Sequence, residues 1–172
     1  MLSMGTNKKG FAKDFALEVN NMRMIKAILG NYFITKDVEA DLKKGTDFLI
    51  LQVQPFSVAV RLRRFKIYKN KEWRNQFTLR WSRPSGVKTE IHKIQEGLVD
   101  YILYGFVDES ERKIIQWFLG DMEVFNQVAP APVEVRPNNP RDSDFAAFDL
   151  NQLPGSFILD YYPKSLGVII PP

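Results

Sequence analysis

The chain has 172 residues, of which 45% are hydrophobic and 26% charged, and its net charge is +4. This length favours one domain with a sizeable core. The absence of cysteine and the presence of a single histidine exclude disulfides, thiolate zinc sites and multi-histidine metal sites, so any metal would have oxygen ligands, which favour Mg²⁺ or Mn²⁺. Because no apolar run is long enough for a signal peptide or a helical membrane span, we expect a cytoplasmic protein.

The N-terminal third predicts a helix followed by a strand. In residues 11–29, apolar positions recur at spacings of three and four, which predicts an amphipathic helix that ends at Gly30. Glu18 falls inside the apolar stripe of this helix, which also contains Met22. The run FLILQV (48–53) predicts a buried strand that starts just after Asp47.

The next two segments predict strands with alternating faces. SVAVRLRRF (57–65) predicts an antiparallel partner for residues 48–53, and QFTLRWSR (76–83) predicts a further strand. Since side chains alternate across a strand, Ala59, Arg61 and Arg63 should share one face of the first of these strands. We expect the arginines to line a surface or a cleft.

The middle of the chain predicts a helix, a strand pair and a second helix. Residues 89–98 form the first helix, with Thr89 as its N-cap and Gly97 as its stop signal. DYILYGFV and KIIQWFLG form the strand pair, joined by the charged turn DESER, and the second helix begins at Asp121.

The C-terminal part changes in composition. Residues 129–144 are rich in proline, asparagine and charge, which is typical of a linker or a surface arm. FAAFDL and SFILDYY then predict two short strands. We therefore expect a core domain over residues 1–128 and a Pro-rich linker with a C-terminal extension, residues 129–172, that packs on the core.

Positive charge is concentrated in one segment. From Arg61 to Lys93 there are eleven lysines and arginines against two acids, so the rest of the chain carries a net charge of −5. Aromatic residues lie among these cations, a combination that suits stacking on bases beside phosphate contacts and predicts nucleic-acid binding. A solvated edge strand with its loop is the alternative interpretation. The predicted nucleic-acid-binding residues are Arg63, Arg64, Lys66, Lys69, Lys71, Arg74, Arg80 and Arg83.

The order of these elements resembles the restriction-endonuclease-like PD-(D/E)xK nuclease superfamily over residues 11–127. The resemblance implies an α/β fold with a mixed central sheet flanked by helices, and Mg²⁺- or Mn²⁺-dependent hydrolysis of phosphodiester bonds in DNA. Glu18 would match the helix glutamate of the family, and Asp47 would match its strand aspartate.

The third element of the motif is replaced in this chain. Where E-x-K is expected, the sequence reads Ala59-Val60-Arg61, and arginine is a poor proton-transfer group. Some members carry the second acid on the following helix, where Glu90 and Lys93 stand one turn apart. The resemblance then implies that Asp47 and Glu90 hold the metal, that Arg61 or Lys93 steadies the phosphate, and that Glu18 positions water or a second ion.

Each of these residues also has a structural interpretation. Glu18 is equally well explained as a helix-edge residue, Asp47 as a turn residue, and Glu90 with Lys93 as an exposed helix pair. His92 is interpreted as an exposed or structural polar residue.

The chain also looks like a group of phage and prophage proteins of unassigned role, which implies a bacterial or phage-infected cell. The preferred hypothesis is a phage-type DNA-binding nuclease. The alternatives are an inactive protein of nuclease fold that binds DNA or inhibits a host enzyme, and a structural or assembly protein of a phage particle. DNA is the expected partner, and a second copy of the chain and a host protein are further candidates. We expect no interaction with a membrane.

Overall fold

The computed structural model describes residues 16–30, 56–64, 75–138 and 143–163. In these ranges, a helix α1 over residues 16–30 precedes seven strands and two further helices. The strands are β1 (Val58–Arg64), β2 (Gln76–Ser82), β3 (Tyr101–Val107), β4 (Ile114–Asp121), β5 (Glu134–Pro137), β6 (Asp144–Asp149) and β7 (Ile158–Tyr162). Helices α2 (Glu90–Gln95) and α3 (Met122–Val128) follow β2 and β4, and short 3₁₀ turns at Leu150–Gln152 and Gly155–Phe157 lead into β7.

The described strands form two sheets. The first has the order β1-β3-β4-β7, in which β1 and β3 are parallel and the other neighbours are antiparallel. The second has the order β2-β6-β5 and is antiparallel throughout. The prediction of an α/β fold with a mixed sheet is therefore confirmed. Strands β1 and β3 are neighbours in the first sheet, and between them in the sequence lie β2, which belongs to the second sheet, and α2.

The strands predicted from alternation occur close to the expected positions. Strands β1 and β2 match the segments 57–65 and 76–83, and β3 and β4 form the predicted antiparallel pair. The two C-terminal strand candidates are β6 and β7. The predicted strand at 48–53, and its pairing with β1, lie outside the described residues.

A large aromatic core lies between the two sheets. Phe77 of β2 is fully buried, and its ring centroid lies 5.6–6.0 Å from those of five other aromatic side chains. These are Tyr104, Phe118, Phe125, Phe148 and Phe157. Every second residue of β3 belongs to this core, and the residues between them face a second core on the opposite side of the first sheet. Both faces of β3 are therefore apolar.

A second core lies on the opposite face of the first sheet, under α1. Leu17 and Ile25 of α1 pack there with Leu62, Leu103 and other side chains of the sheet. The predicted apolar stripe of this helix is correct only in part, because Ile25 is buried in this core whereas Met22 is 41% exposed.

The rotation of α1 has a local cause. Asn21, 1% exposed, interrupts the helix as a turn residue and takes a place in the buried stripe between Leu17 and Ile25. Its side-chain amide donates to the backbone oxygens of Leu17 at 2.9 Å and of Glu111 at 3.1 Å. The NH₂ group of this buried amide is thus hydrogen-bonded, and Asn21 ties the helix to the turn between β3 and β4.

Helix α2 begins and ends where the sequence predicts. Thr89 is its N-cap, and Gly97, with φ +69°, follows its last turn. His92 closes the first turn, because its Nδ1 accepts the backbone N–H of Thr89 at 3.2 Å. The Thr89 hydroxyl lies 3.0 Å from the carbonyl of Trp81, to which it donates. His92 therefore has a structural role. It holds the N-cap Thr89, whose hydroxyl connects the start of α2 to the end of β2.

Residues beyond 128 contribute to both sheets. β6 is the middle strand of the second sheet, and β7 pairs with β4 in the first. In the segment predicted as a linker, Glu134–Pro137 forms the exposed outer strand β5. None of the helices in the described ranges is long and apolar enough to cross a membrane.

Candidate functional site

The site begins with the alternation of β1. Val58, Val60 and Leu62 share one face and pack in the core under α1. Ala59 packs against the aromatic core on the other face, and Arg61 and Arg63 follow it on that side. Their partners come from β2, α2 and β6, so both arginines lie towards the second sheet.

Arg61 is a buried cation with a carboxylate partner. Its side chain is only 7% exposed, and its guanidinium forms an ion pair with Oε1 of Glu90. The other carboxylate oxygen of Glu90 accepts the backbone N–H of Arg80 at 3.0 Å. Glu90 is the first residue of α2, so the capping of that helix at Thr89 also places the carboxylate that neutralises Arg61.

Three guanidinium groups surround one aromatic ring. The Cζ atoms of Arg61, Arg63 and Arg80 lie 5.8, 5.1 and 5.5 Å from the centroid of Phe145. The register of β2 with β6 pairs Arg80 with Phe145 directly, and β1 brings the other two arginines from the first sheet. Favourable contacts between cations and an aromatic face reach about 6 Å. We call Arg61, Arg63 and Arg80, grouped around Phe145, the arginine cluster.

The electrostatics of the arginine cluster are visible in the pKa of Arg61. Burial is the main cause that lowers this pKa to about 9, and the positive charges of Arg63 and Arg80 lower it further. Tyr104 and Glu18 act in the opposite direction. Arg61 therefore remains charged at neutral pH, in a place where positive charge is disfavoured.

Polar groups hold Arg63 in place. Its Nη2 donates to the Thr78 hydroxyl at 2.7 Å, and that hydroxyl lies 3.3 Å from the Tyr104 hydroxyl, within hydrogen-bonding distance. Tyr104 is fully buried at the border between the arginine cluster and the aromatic core. This chain of contacts fixes the Arg63 side chain and reduces the entropy that it would lose on binding an anion.

A cavity of about 200 Å³ adjoins the arginine cluster. Its charged lining consists of Arg61, Glu90 and Lys93, and its remaining wall is apolar. Ala59, which stands where the family motif would carry an acid, is part of this wall. A small side chain at position 59 thus borders open space beside Arg61.

The predicted site residues fall into three groups. Arg61, Glu90 and Lys93 line the same cavity, and Glu18 is close enough to Arg61 to raise its pKa. Arg63 and Arg80 belong to the arginine cluster. The predicted residues that lie outside the described ranges are Asp47, Lys66, Lys69, Lys71 and Arg74.

Arg64 and Arg83 lie elsewhere. Alternation along β1 turns Arg64 away from the arginine cluster, and its guanidinium pairs with Glu111. Arg83 follows the last residue of β2 and is half-buried. The described basic residues therefore form more than one surface.

Sequence reasoning missed two residues of the site. Phe145 and Thr78 were predicted only as parts of two strands. The alternation of QFTLRW already places Thr78 and Arg80 on one face, which is a usable signal. Phe145 has no comparable signal, because it meets the arginines only through the pairing of β6 with β2.

The described residues supply one of the two predicted metal ligands. Glu90 borders the cavity, but its oxygens already contact Arg61 and the backbone of Arg80. Among the residues that the structure describes, no three histidine, cysteine or acidic side chains are grouped so as to hold a metal ion. These residues alone do not form an Mg²⁺ site, which requires several oxygen ligands.

No protein-family model, no curated protein and no solved structure matches this chain.

Proposed function

We propose that this chain is a nucleic-acid-binding protein, with DNA as its expected ligand, and that the arginine cluster is the centre of its binding surface. The observation that carries the proposal is the convergence of Arg61, Arg63 and Arg80 on Phe145. Guanidinium groups match phosphate in shape and charge. In the sequence, the basic segment 61–88 contains further cations between Arg63 and Arg80 and after Arg80.

The contacts favour this proposal over a solvated edge strand. Charges on a solvated edge point into water and need no partners. Here Arg61 is buried against Glu90, and Arg63 is tied to Thr78. Holding several like charges together in a partly dry place is unfavourable for folding, so a gain in anion binding is a reason to keep them.

Salt dependence tests the proposal. Binding of a labelled DNA duplex and of a single strand is measured by fluorescence anisotropy over a series of salt concentrations. Log affinity should fall linearly with log salt, and in the variant Arg63→Gln/Arg80→Gln the slope should become less steep by about 0.9 for each duplex phosphate that the variant no longer neutralises. Arg112→Gln is the matched control, since Arg112 is exposed in the turn between β3 and β4. An unchanged slope in the double variant would place the binding surface elsewhere.

Metal-dependent hydrolysis of DNA is the second candidate function, and the cavity supports it. Arg61, Glu90 and Lys93 were predicted to act together and line one space of about 200 Å³. Arg61 and Lys93 would bind the phosphate group there, and Glu18 adds negative charge near Arg61. Because the described residues do not complete a metal site, this candidate depends on Asp47, the other predicted ligand.

Cleavage assays distinguish the two candidates. Nicking of a plasmid and trimming of single strands are followed with Mg²⁺ or Mn²⁺ and with EDTA, for the parent and for Asp47→Asn and Glu90→Gln. The second candidate predicts cleavage that requires the metal and both carboxylates, whereas DNA binding survives in Asp47→Asn. Cleavage in EDTA would contradict it. If the parent protein binds DNA but does not cleave it with either metal, the result would favour the alternative that the protein is an inactive DNA-binding protein.

A further inference from the structure

The cavity beside Arg61 extends from a buried apolar floor to the surface of the protein. Leu79, Ile94 and Ile102 form this floor, and each of these side chains is only 1% exposed. Lys93 also lines the cavity but is an exposed residue, so it lies where the cavity opens to water. The cavity is thus a pocket with an apolar interior and a cation at its mouth.

The size of the pocket limits its occupant to a small molecule. Its volume is about 200 Å³. An apolar cavity of about 150 Å³ accommodates benzene, whereas drug-sized ligands occupy pockets of about 300 Å³ or more. Protein interiors are otherwise closely packed and contain few voids larger than a water molecule. A pocket of this size therefore fits a single aromatic ring or a short aliphatic chain.

The charged groups on the wall differ in how far they are already neutralised. Arg61 and Glu90 form an ion pair with each other, so their charges largely offset one another. Lys93 follows Glu90 by three positions on α2. Within the described part of the chain, no carboxylate forms an ion pair with the ammonium group of Lys93. The positive charge that remains at the mouth of the pocket is therefore that of Lys93.

We propose that this pocket binds a small organic monoanion, whose apolar body enters the pocket and whose carboxylate pairs with Lys93. The apolar body leaves water and contacts Leu79, Ile94 and Ile102. The carboxylate stays at the exposed mouth, where it keeps much of the hydration that a buried charge would lose. The inference does not rest on the proposed nucleic-acid binding, because Lys93 and the apolar wall are not part of the arginine cluster.

Thermal unfolding with three probes tests the class of ligand. Benzoate combines a ring with a carboxylate, benzamide has nearly the same shape without the charge, and acetate has the carboxylate without the ring. Benzoate should raise Tm relative to sodium chloride at the same ionic strength, because a ligand that binds only the folded state stabilises it. Benzamide and acetate should each raise Tm less than benzoate at the same concentration.

Removing the cation tests the role of Lys93. In Lys93→Gln the Kd for benzoate, measured by titration calorimetry, should rise about threefold to fivefold, as expected for the loss of one exposed ion pair. Lys26→Gln is the matched control, since Lys26 is an exposed lysine of α1, which packs on the other face of the first sheet. The Kd should not change in this control.

Filling the pocket tests its location. Ala59 is part of the wall, so Ala59→Leu places a larger side chain in the space and should remove the rise in Tm with benzoate. If this variant does not fold, Val99→Ile replaces it, because Val99 also lines the pocket and the substitution adds a single methylene group. The rise in Tm should then become smaller.

The outcomes decide the inference without any nucleic acid. A rise in Tm with benzoate that is lost in Ala59→Leu, together with weaker binding in Lys93→Gln, would sustain it. No rise in the parent, or a rise that the filled pocket leaves unchanged, would overturn it. Equal effects of benzoate and benzamide would also overturn it, because the pocket would then select the ring and not the charge. Salt-dependent DNA binding is measured separately, so failure of this inference leaves the proposed function to its own test.

Discussion

The two faces of strand β2 carry regions of opposite character. Phe77 and Leu79 face the aromatic core, where Phe77 is fully buried among five other rings. On the other face, Arg80 belongs to the arginine cluster, in which three cations lie around one ring, and Thr78 accepts a hydrogen bond from Arg63. The aromatic face gains stability from burial, since apolar area leaves water. The arginine face offsets part of that gain, because cations lose hydration and repel one another. The contrast indicates that the aromatic core contributes most of the stability and the arginine cluster little, which is consistent with the binding role proposed for the cluster.

The largest effect should come from truncating the aromatic face. Phe77→Ala should lower the free energy of unfolding by about 3 to 5 kcal/mol, because it leaves a cavity among rings that cannot collapse fully. Urea unfolding followed by circular dichroism measures this decrease. Phe56→Ala is the matched control, since Phe56 is 55% exposed. A decrease in Phe77→Ala no greater than in the control would mean that the aromatic face does not dominate stability.

Breaking the ion pair should have the next largest effect. Glu90→Gln should destabilise the protein by about 3 kcal/mol, because the buried Arg61 keeps its charge without its anionic partner. The double variant Arg61→Met/Glu90→Gln should recover most of this stability, since neither residue then carries an uncompensated charge. Urea unfolding of the two variants and of the parent measures the difference. If the double variant were as unstable as Glu90→Gln, the penalty would not come from the stranded cation.

A smaller effect should follow from crowding the aromatic core. A Cβ atom at Gly120 of β4 would lie 2.6 Å from Cζ of Phe157, a fully buried ring. Gly120→Ala should therefore cost about 1 to 2 kcal/mol through displacement of that ring. Gly30→Ala is the control, because a Cβ at Gly30 meets nothing within 4 Å. Thermal unfolding measures Tm for both variants. Equal Tm values would contradict the tight packing around Gly120.

The smallest effect on stability should come from the arginine face itself. Arg80→Gln removes the interaction with Phe145 but also relieves the repulsion felt by Arg61, so stability should change by less than about 1 kcal/mol. Nucleic-acid affinity measured on the same preparation should fall, in contrast to Gly120→Ala. A large decrease in stability with unchanged binding would reverse the roles assigned to the two faces of β2.

Much of the local structure was predictable because it depends on neighbouring residues. The alternation in β1 and β2 correctly indicated which side chains share a face, and Thr89 and Gly97 marked the ends of α2. α1 was predicted in outline, but its buried stripe was predicted only in part, because Ile25 was included whereas Asn21 was not. Asn21 is polar and occupies that stripe because its amide reaches Glu111, a hydrogen bond across 90 positions that no local pattern reveals.

The site shows the same division between local and distant information. The sequence by itself determined that Arg61 and Arg63 share one face of a strand and that Glu90 begins a helix, since strand alternation and helix capping follow from residues a few positions apart. Only the tertiary structure decided that Glu90 forms an ion pair with Arg61 and that three arginine side chains lie around the ring of Phe145. Phe145 is separated from Arg61 by more than eighty positions, and any apolar strand of suitable length could have paired with β2. Register between distant strands is chosen by the packing of the whole core, because each pairing must bury its apolar face against the other sheet.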